Sequence, residues 1–444
     1  MTLFANADSL VRSADRWQRH ASLRVLEGRV REIGPDLRPI PGEDVVDCTG
    51  MLLIPGLVNA HTHAAENAIR GLGKSLPTER WMSDFVYPVN RSLTDEDVYW
   101  STVLGCADSF RNGTTAVVDL VPNYVRFHAD AAIQAYRDVG MRAAVAKAAA
   151  TRSLIDPGEQ RTADEELREA ESYLRRWSGH RLVQPWIGPS GYHAVDPETL
   201  TRLKALSREH GTRFTIHLSE TAWQRDLARQ HGYAGQVAWA HASDLLGPDT
   251  LVAHSVWVSD AEILTLAETR SHVVHNATSN QLLASGIAPV RAMRRAGVNV
   301  ALGCDGAGSN DSADMVAEMK SAVLLQRVAT LDAEALSARD ALRMATEGGA
   351  AVLGLAADVG RLEPGRAADF VGIQLAGNPS LQPAYDPIDL LVYSGSGRDV
   401  VLTVVDGRLT YHRGRFLTLD LERALAAMAA LQDQIERARS GGPQ

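Results

Sequence analysis

Cysteine is scarce in this chain of 444 residues: Cys48, Cys106 and Cys304 are too few and too scattered for a disulfide framework or a cysteine-rich zinc site. A basic surplus is missing as well. The formal net charge is -9, which argues against nucleic acid as a partner. No apolar run is long enough to span a bilayer, and the opening residues MTLFANADSLVRSADRW lack the apolar core of a signal peptide. No membrane partner and a cytoplasmic location are therefore expected. Three catalytic signatures are absent: His-Glu-x-x-His, the Pro-Cys-x-x-Cys of small zinc deaminases, and the serine-nucleophile elbow. Residues 68–75 (AIRGLGKS) end like a phosphate-binding loop, but Ala68 stands where its first glycine belongs.

What is present is an ordinary globular composition, 45% hydrophobic and 22% charged, in a chain longer than a usual single domain. Short alternating runs at residues 21–33, broken at Gly28, predict a hairpin, and a similar texture returns at 368–373 and 400–405 with a turn at Asp406-Gly407. Two β-rich ends around a different middle predict one small sheet domain built from both termini. The middle alternates short apolar strands with helical patterns, the rhythm of a parallel sheet. Strands are expected at 113–120, 141–146, 182–187, 213–216, 250–253, 271–274 and 298–304, with a helix capped by Asp196 and Pro197 and another by Ser259. Counted from His61, eight strand-helix units result, the number that closes a (β/α)8 barrel. The expected α/β architecture is thus a TIM-type barrel over 55–359, with a composite β-sandwich domain from 1–54 and 360–444. A capped helix is expected at 337–353 and a helical tail at 419–437.

In the run PGLVNAHTH (55–63), His61 and His63 stand two residues apart at a strand end, where i and i+2 share a face. Both can offer an imidazole to one metal ion. His217, His254 and Asp305 also end expected strands, where barrel enzymes carry their catalytic groups. Three neutral nitrogens from His61, His63 and His217 with the Asp305 carboxylate would surround one divalent cation. Zinc suits this set, with iron(II) the alternative. Such an ion lowers the pKa of bound water to roughly 7. Glu220, three residues past His217, reads either as a carboxylate favoured by a helix N-terminus or as a proton shuttle. His254 reads as a further ligand or, preferably, as a neighbour that orients the nucleophile. His275 and Asn276 end the seventh strand and are pocket-lining candidates, His275 equally a structural one. His272 belongs to the opposite barrel face. His193 is a candidate substrate contact. Trp81, Trp223 and Trp257 can wall an aromatic-binding pocket, although core packing is the commoner role for each.

PGLVNAHTH, HLSE, LVAH and GCDG, in that order, resemble the amidohydrolase superfamily of metal-dependent hydrolases, over nearly the whole chain. HTHAAENAIRGLGKSLPTERW, NGTTAVVD, NATSNQLLASGIAPV and GCDGAGSNDSADMVAEMKSA look like the branch of methylthioadenosine/S-adenosylhomocysteine deaminases, guanine deaminase and triazine hydrolases. The resemblance implies one metal on His61, His63, His217 and Asp305, protonation of a substrate ring nitrogen by Glu220, and activation of water by His254 and Asp305. Trp81, Asn90, His193, Asn276 and Ser309 are then the expected substrate contacts. A small heteroaromatic substrate and pairing into a homodimer are implied as well. The fourth strand ends Gly188-Pro189-Ser190, without the lysine or glutamate that bridges two metals in dinuclear members. Two departures bear on the substrate: Asn90 stands where the nucleoside deaminases carry a glutamate for ribose hydroxyls, and Ser190 where they carry histidine. They favour a free amino-substituted azaheterocycle over a nucleoside. The expected reaction is hydrolytic deamination of an N-heteroaromatic ring. Dechlorination or dealkylamination of a triazine-like ring is the alternative, as is methylthioadenosine or adenosylhomocysteine deamination. A non-catalytic binding protein on the same scaffold is the rival from another class.

Overall fold

The structure is a computed structural model that describes residues 1–121, 128–151, 161–189 and 194–440. Its centre is a sheet of eight parallel strands: Leu57–Thr62, Thr114–Val121, Arg142–Ala149, Val183–Pro189, Phe214–Leu218, Thr250–His254, His272–His275 and Val300–Leu302, each paired with the next. The last strand meets the first where Cys304 N donates to Asn59 Oδ1 at 2.9 Å and Asp305 N donates to His61 O at 2.9 Å. The chain thus forms a (β/α)8 barrel. Strand parity sorts its side chains. Val118, Leu120, Ala144, Ala146, Ala148, Trp186, Leu251, Ala253 and Ala301 fill the interior, whereas Val117, Val145, Ile216, Val252 and Leu302 pack under the helices. The alanines at 144, 146 and 148 leave the volume that the buried Trp186 occupies, and Val352 with Leu353 closes the interior from below.

Helix starts follow the sequence closely. Thr94, Thr162, Thr221, Ser259 and Ser337 each close a capping box, satisfying two otherwise unpaired amides at a helix start. Asp196 caps Pro197–Glu209 by accepting from Thr199 N at 2.9 Å. Strand ends deviate more. The eighth strand is only Val300–Leu302, because Gly303 to Asp305 turn inward and Asp305 adopts φ 66°. His217, expected to end its strand, is the penultimate residue of Phe214–Leu218. The single helix expected over 337–353 is instead Ala338–Arg343, a π turn over Met344–Gly348, and Gly349–Val352. The glycine is why the chain can shift there: a Cβ on Gly349 would meet Val58 Cβ at 2.5 Å, so this turn presses its backbone onto the first barrel strand.

Both chain ends join one mixed sheet of nine strands. Phe370–Gln374 pairs antiparallel with Met51–Pro55, which in turn runs parallel to Thr2–Ser13. Arg16–Leu26 and Arg29–Gly34 form the expected hairpin, and Val400–Val405 with Arg408–His412 the other. The tail helix Leu421–Ser440 buries Ala424, Leu431 and Ile435 on one face. Among the described residues no helix is long and apolar enough to cross a membrane.

Candidate active site

The C-terminal ends of the first, fifth and eighth barrel strands bring four candidate ligand atoms together. His61 Nε2 lies 3.1 Å from His217 Nε2 and 3.4 Å from Asp305 Oδ1, and His63 Nε2 lies 3.3 Å from the same oxygen. A tetrahedral zinc with bonds near 2.0–2.1 Å sets its ligand atoms roughly 3.3 Å apart, close to these three separations. Two imidazole nitrogens at 3.1 Å share one proton at most, so the cluster has the chemistry of a cation site. His61, His63 and His217 form one close group and His61, His254 and Asp305 another, and because both share His61 they describe one centre.

Electrostatics at His61, His217 and Asp305 point the same way. Burial pushes His61 down to about 4 and His217 well below the ordinary histidine range, which keeps both imidazoles neutral. Burial opposes ionisation of Asp305, yet contact with His61 and the other imidazoles holds its carboxyl well below the usual range. Burial also pulls on His63, but Glu66, Asp305 and the Leu120 carbonyl outweigh it and shift that group upward. The ring of His63 is fixed by Nδ1 against Leu120 O at 2.7 Å. Metal-binding histidines commonly have such a carbonyl behind them. Strained backbone collects at the same place. His254 (φ 71°), Ser255 (50°), Ser219 (56°) and Asp305 (66°) are all left-handed without being glycine. Each costs on the order of 1 kcal/mol, held by the surrounding barrel.

Glu220 is buried beside this group. Its Oε1 accepts from Ser285 Oγ at 3.3 Å and its Oε2 stands 4.0 Å from His254 Nε2. Burial raises its pKa above the normal glutamate range, favouring the protonated form a ring-nitrogen acid needs. His254 Nε2 is also 3.9 Å from Asp305 Oδ2, so three polar atoms face one another across a gap too wide for direct hydrogen bonds.

The remaining candidates fall in different places. Trp81 is buried as expected: Cβ atoms on Gly73 and Gly308 would stand 2.8 and 2.7 Å from its ring, and its indole N–H has no partner. Asn90 is buried with neither side-chain polar atom paired. It lies one turn past Tyr87, whose hydroxyl burial and the Glu220 charge push up to about 12. Asn276 points its amide nitrogen at His254 Nδ1, 3.3 Å away. Ser309 donates to Gly306 O at 3.1 Å within the Asp305 loop. His193 and Ser190 lie outside the described residues. His275 is fully buried, both its ring nitrogens are unpaired, and burial lowers it to about 4. His272 sits at the opposite barrel end against Pro248 O and Asn299. Core packing fails for two tryptophans. Trp223 is 51% and Trp257 36% exposed, and the Arg225 guanidinium stacks over Trp257 at 4.8 Å.

Several neighbours of the site escaped the sequence. Ser279 donates to Asp305 Oδ2 at 2.7 Å, Asn280 Oδ1 is 3.0 Å from His254 Nδ1, and Ser285 holds Glu220. The one available signal was a run of small polar residues, NATSN, directly after a strand at the catalytic face. Glu66, three residues past His63, is a buried carboxyl that burial drives up to about 7. It fits only because position 306 is glycine, where a Cβ would lie 1.8 Å from Glu66 Oε2.

Comparison with known proteins agrees with this geometry. The model of the family described as "Amidohydrolase family" matches residues 52–410. The chain is 37% identical to 5'-deoxyadenosine deaminase of Methanothermobacter thermautotrophicus, covering 93% of this chain and 95% of that one. It is also 37% identical to 5-methylthioadenosine/S-adenosylhomocysteine deaminase of Syntrophobacter fumaroxidans, over 91% of each. Among solved structures, a zinc-bound adenosine deaminase from Xanthomonas campestris superposes with a TM-score of 0.91 at 28% identity, over 98% of both chains.

Proposed function

The chain belongs to the amidohydrolase family, and from that membership we propose that it is a metal-dependent aminohydrolase that replaces an amino group on an N-heteroaromatic ring by hydroxyl. One observation carries the reading: His61 Nε2 lies 3.1 Å from His217 Nε2 and 3.4 Å from Asp305 Oδ1, with His63 Nε2 3.3 Å from that same oxygen, close to the roughly 3.3 Å a tetrahedral zinc sets between its ligand atoms. A divalent cation held by these four would bring a water molecule's pKa near 7. Around it the chain's own groups divide the protons. Protonated Glu220 donates to a ring nitrogen, which makes the adjacent carbon electrophilic. His254 Nε2 and Asp305 Oδ2 face the gap where the attacking water loses its proton. Ammonia leaves from the carbon that water has joined, carrying a proton returned by these bases.

An adenine-type ring is the first substrate class to try, because both relatives at 37% identity are named as deaminases of 5'-substituted adenosines. Asn90 favours a second class, the free or neutrally substituted ring. Its unpaired buried amide offers one donor side and one acceptor without charge, a weaker hold on a diol than a carboxylate. Elemental analysis of protein purified without chelators, joined to ammonia and chloride release over adenosines, aminopurines, pterins and triazines, tests both. About one zinc per chain with ammonia release from an aminopurine ring is expected. Chloride release alone would make it a dehalogenase, and a chain without metal or turnover would leave only a binding scaffold.

Pairing of two copies belongs to the same proposal. Leu324, Val328 and Leu331 lie exposed along and just past one face of Met315–Thr330, the kind of stripe a second copy covers. A monomer mass by light scattering would remove it. A cytoplasmic setting is supported by three free, buried thiols.

A further inference from the structure

The short helix Ala277–Leu282 and the turn after it contain no metal ligand and no acid or base of the proposed reaction, yet they touch all three proton-handling groups. Ser279 reaches Asp305 Oδ2 at 2.7 Å, Ser285 reaches Glu220 Oε1 at 3.3 Å, and Asn280 Oδ1 reaches His254 Nδ1 at 3.0 Å. The first two contacts steady groups whose charge is set elsewhere. The third decides where a proton sits.

A neutral imidazole carries its one proton on Nδ1 or on Nε2, and the neighbour of one nitrogen fixes the state of the other. His254 Nδ1 has two rivals. Asn280 Oδ1 at 3.0 Å is an acceptor and calls for a proton on Nδ1, leaving the Nε2 lone pair bare. Asn276 Nδ2 at 3.3 Å is a donor and calls for the reverse, an Nε2–H pointing toward Glu220 Oε2 and Asp305 Oδ2 at 4.0 and 3.9 Å. The shorter contact belongs to the acceptor. All four groups are buried, so water does not settle the choice from outside.

We propose that Asn280 is a positioning residue that holds His254 in the Nδ1–H tautomer, so that the bare Nε2 faces the reaction gap as a base. This deepens the aminohydrolase reading and rests on it for its catalytic meaning, but the tautomer itself exists without turnover. Asn280 acts through His254 and touches no reacting atom.

The test is nitrogen NMR on zinc-loaded protein carrying 15N-histidine, with the His254 signals identified by their loss in H254Q. In the unsubstituted protein the proton is expected on Nδ1, with Nε2 unprotonated. N280D, which keeps an acceptor of the same size, should retain this pattern, and N280L should lose it. With a working substrate, N280L is expected to lower kcat by roughly ten- to a hundredfold with little change in KM, and N280D to restore most of the loss. An Nε2–H signal in the unsubstituted protein overturns the proposal, as does an Nδ1–H signal that survives in N280L. Should N280L fail to fold, the unsubstituted protein and N280D still decide. Absence of turnover on every substrate, with the Nδ1–H signal intact, would count against the aminohydrolase reading and leave the tautomer assignment standing.

Discussion

Asp305 divides its two oxygens between two tasks, and that division sets the outcome of replacing it. Oδ1 stands among the imidazoles and Oδ2 accepts from Ser279 at 2.7 Å, facing His254. D305A and H61A are therefore expected to lose both bound metal and turnover, read by elemental analysis and ammonia release. E220Q separates the two: with no place among the ligand atoms, it should keep the metal and lose activity by about 10²–10⁴. An E220Q protein with full activity would remove Glu220 from proton transfer. These residues were readable because their signals are local or periodic. His61 and His63 share a face by the two-residue repeat of a strand, and His217, His254 and Asp305 each follow an apolar run. Ser279, Asn280 and Ser285 were not, because a hydrogen bond between side chains remote in sequence has no period. Nothing in NATSN says which side chain it will meet.

At the scale of elements, helix Met315–Thr330 is fastened to the site by one buried carboxyl. Glu318 Oε1 accepts from Thr278 N at 3.1 Å, at the start of the helix that bears Ser279 and Asn280. Burial drives Glu318 from an ordinary 4.5 up to about 7, opposed by that hydrogen bond and its neighbours. Between these values the folded chain holds more proton than the unfolded one, so stability falls as pH rises through this window. Below it the cost of ionisation vanishes. E318Q should flatten that slope and be more stable than the parent near pH 8 by at most about 3 kcal/mol. Urea titrations of both proteins at pH 5 and 8 check this, and parallel curves would exclude Glu318 as the source. Elements themselves were largely visible in the sequence, since caps such as Asp196 and Ser259 are local chemistry. What stayed hidden were strand ends near Asp305 and the π turn over Met344–Gly348, both set by close approach to the first barrel strand.

For the whole molecule, the two β-rich ends announced a shared sheet by texture, but texture could not say how that sheet is fastened to the barrel. Arg142, the first residue of the third barrel strand, forks onto Asp369, with Nε to Oδ2 at 2.7 Å and Nη2 to Oδ1 at 3.0 Å. Both side chains are almost wholly buried, and they are 227 residues apart in sequence. Asp369 Oδ1 also accepts from Asp406 N at 2.7 Å, so one carboxylate ties the barrel to two segments of the composite sheet. A buried pair of this kind adds little net stability, yet removing one partner leaves the other charged and unmatched, at about 3–5 kcal/mol. R142M should incur that cost. In R142M/D369N the buried charge is gone while an acceptor for Asp406 N remains, so the double variant should be more stable than R142M alone. Arg142 begins its strand and the proposed metal ligands lie at the opposite, C-terminal ends. Metal content per folded chain should then match the parent in both variants, while the denaturation midpoint moves. Loss of metal at an unchanged midpoint would show that this fork serves the site rather than the joint between sheet and barrel.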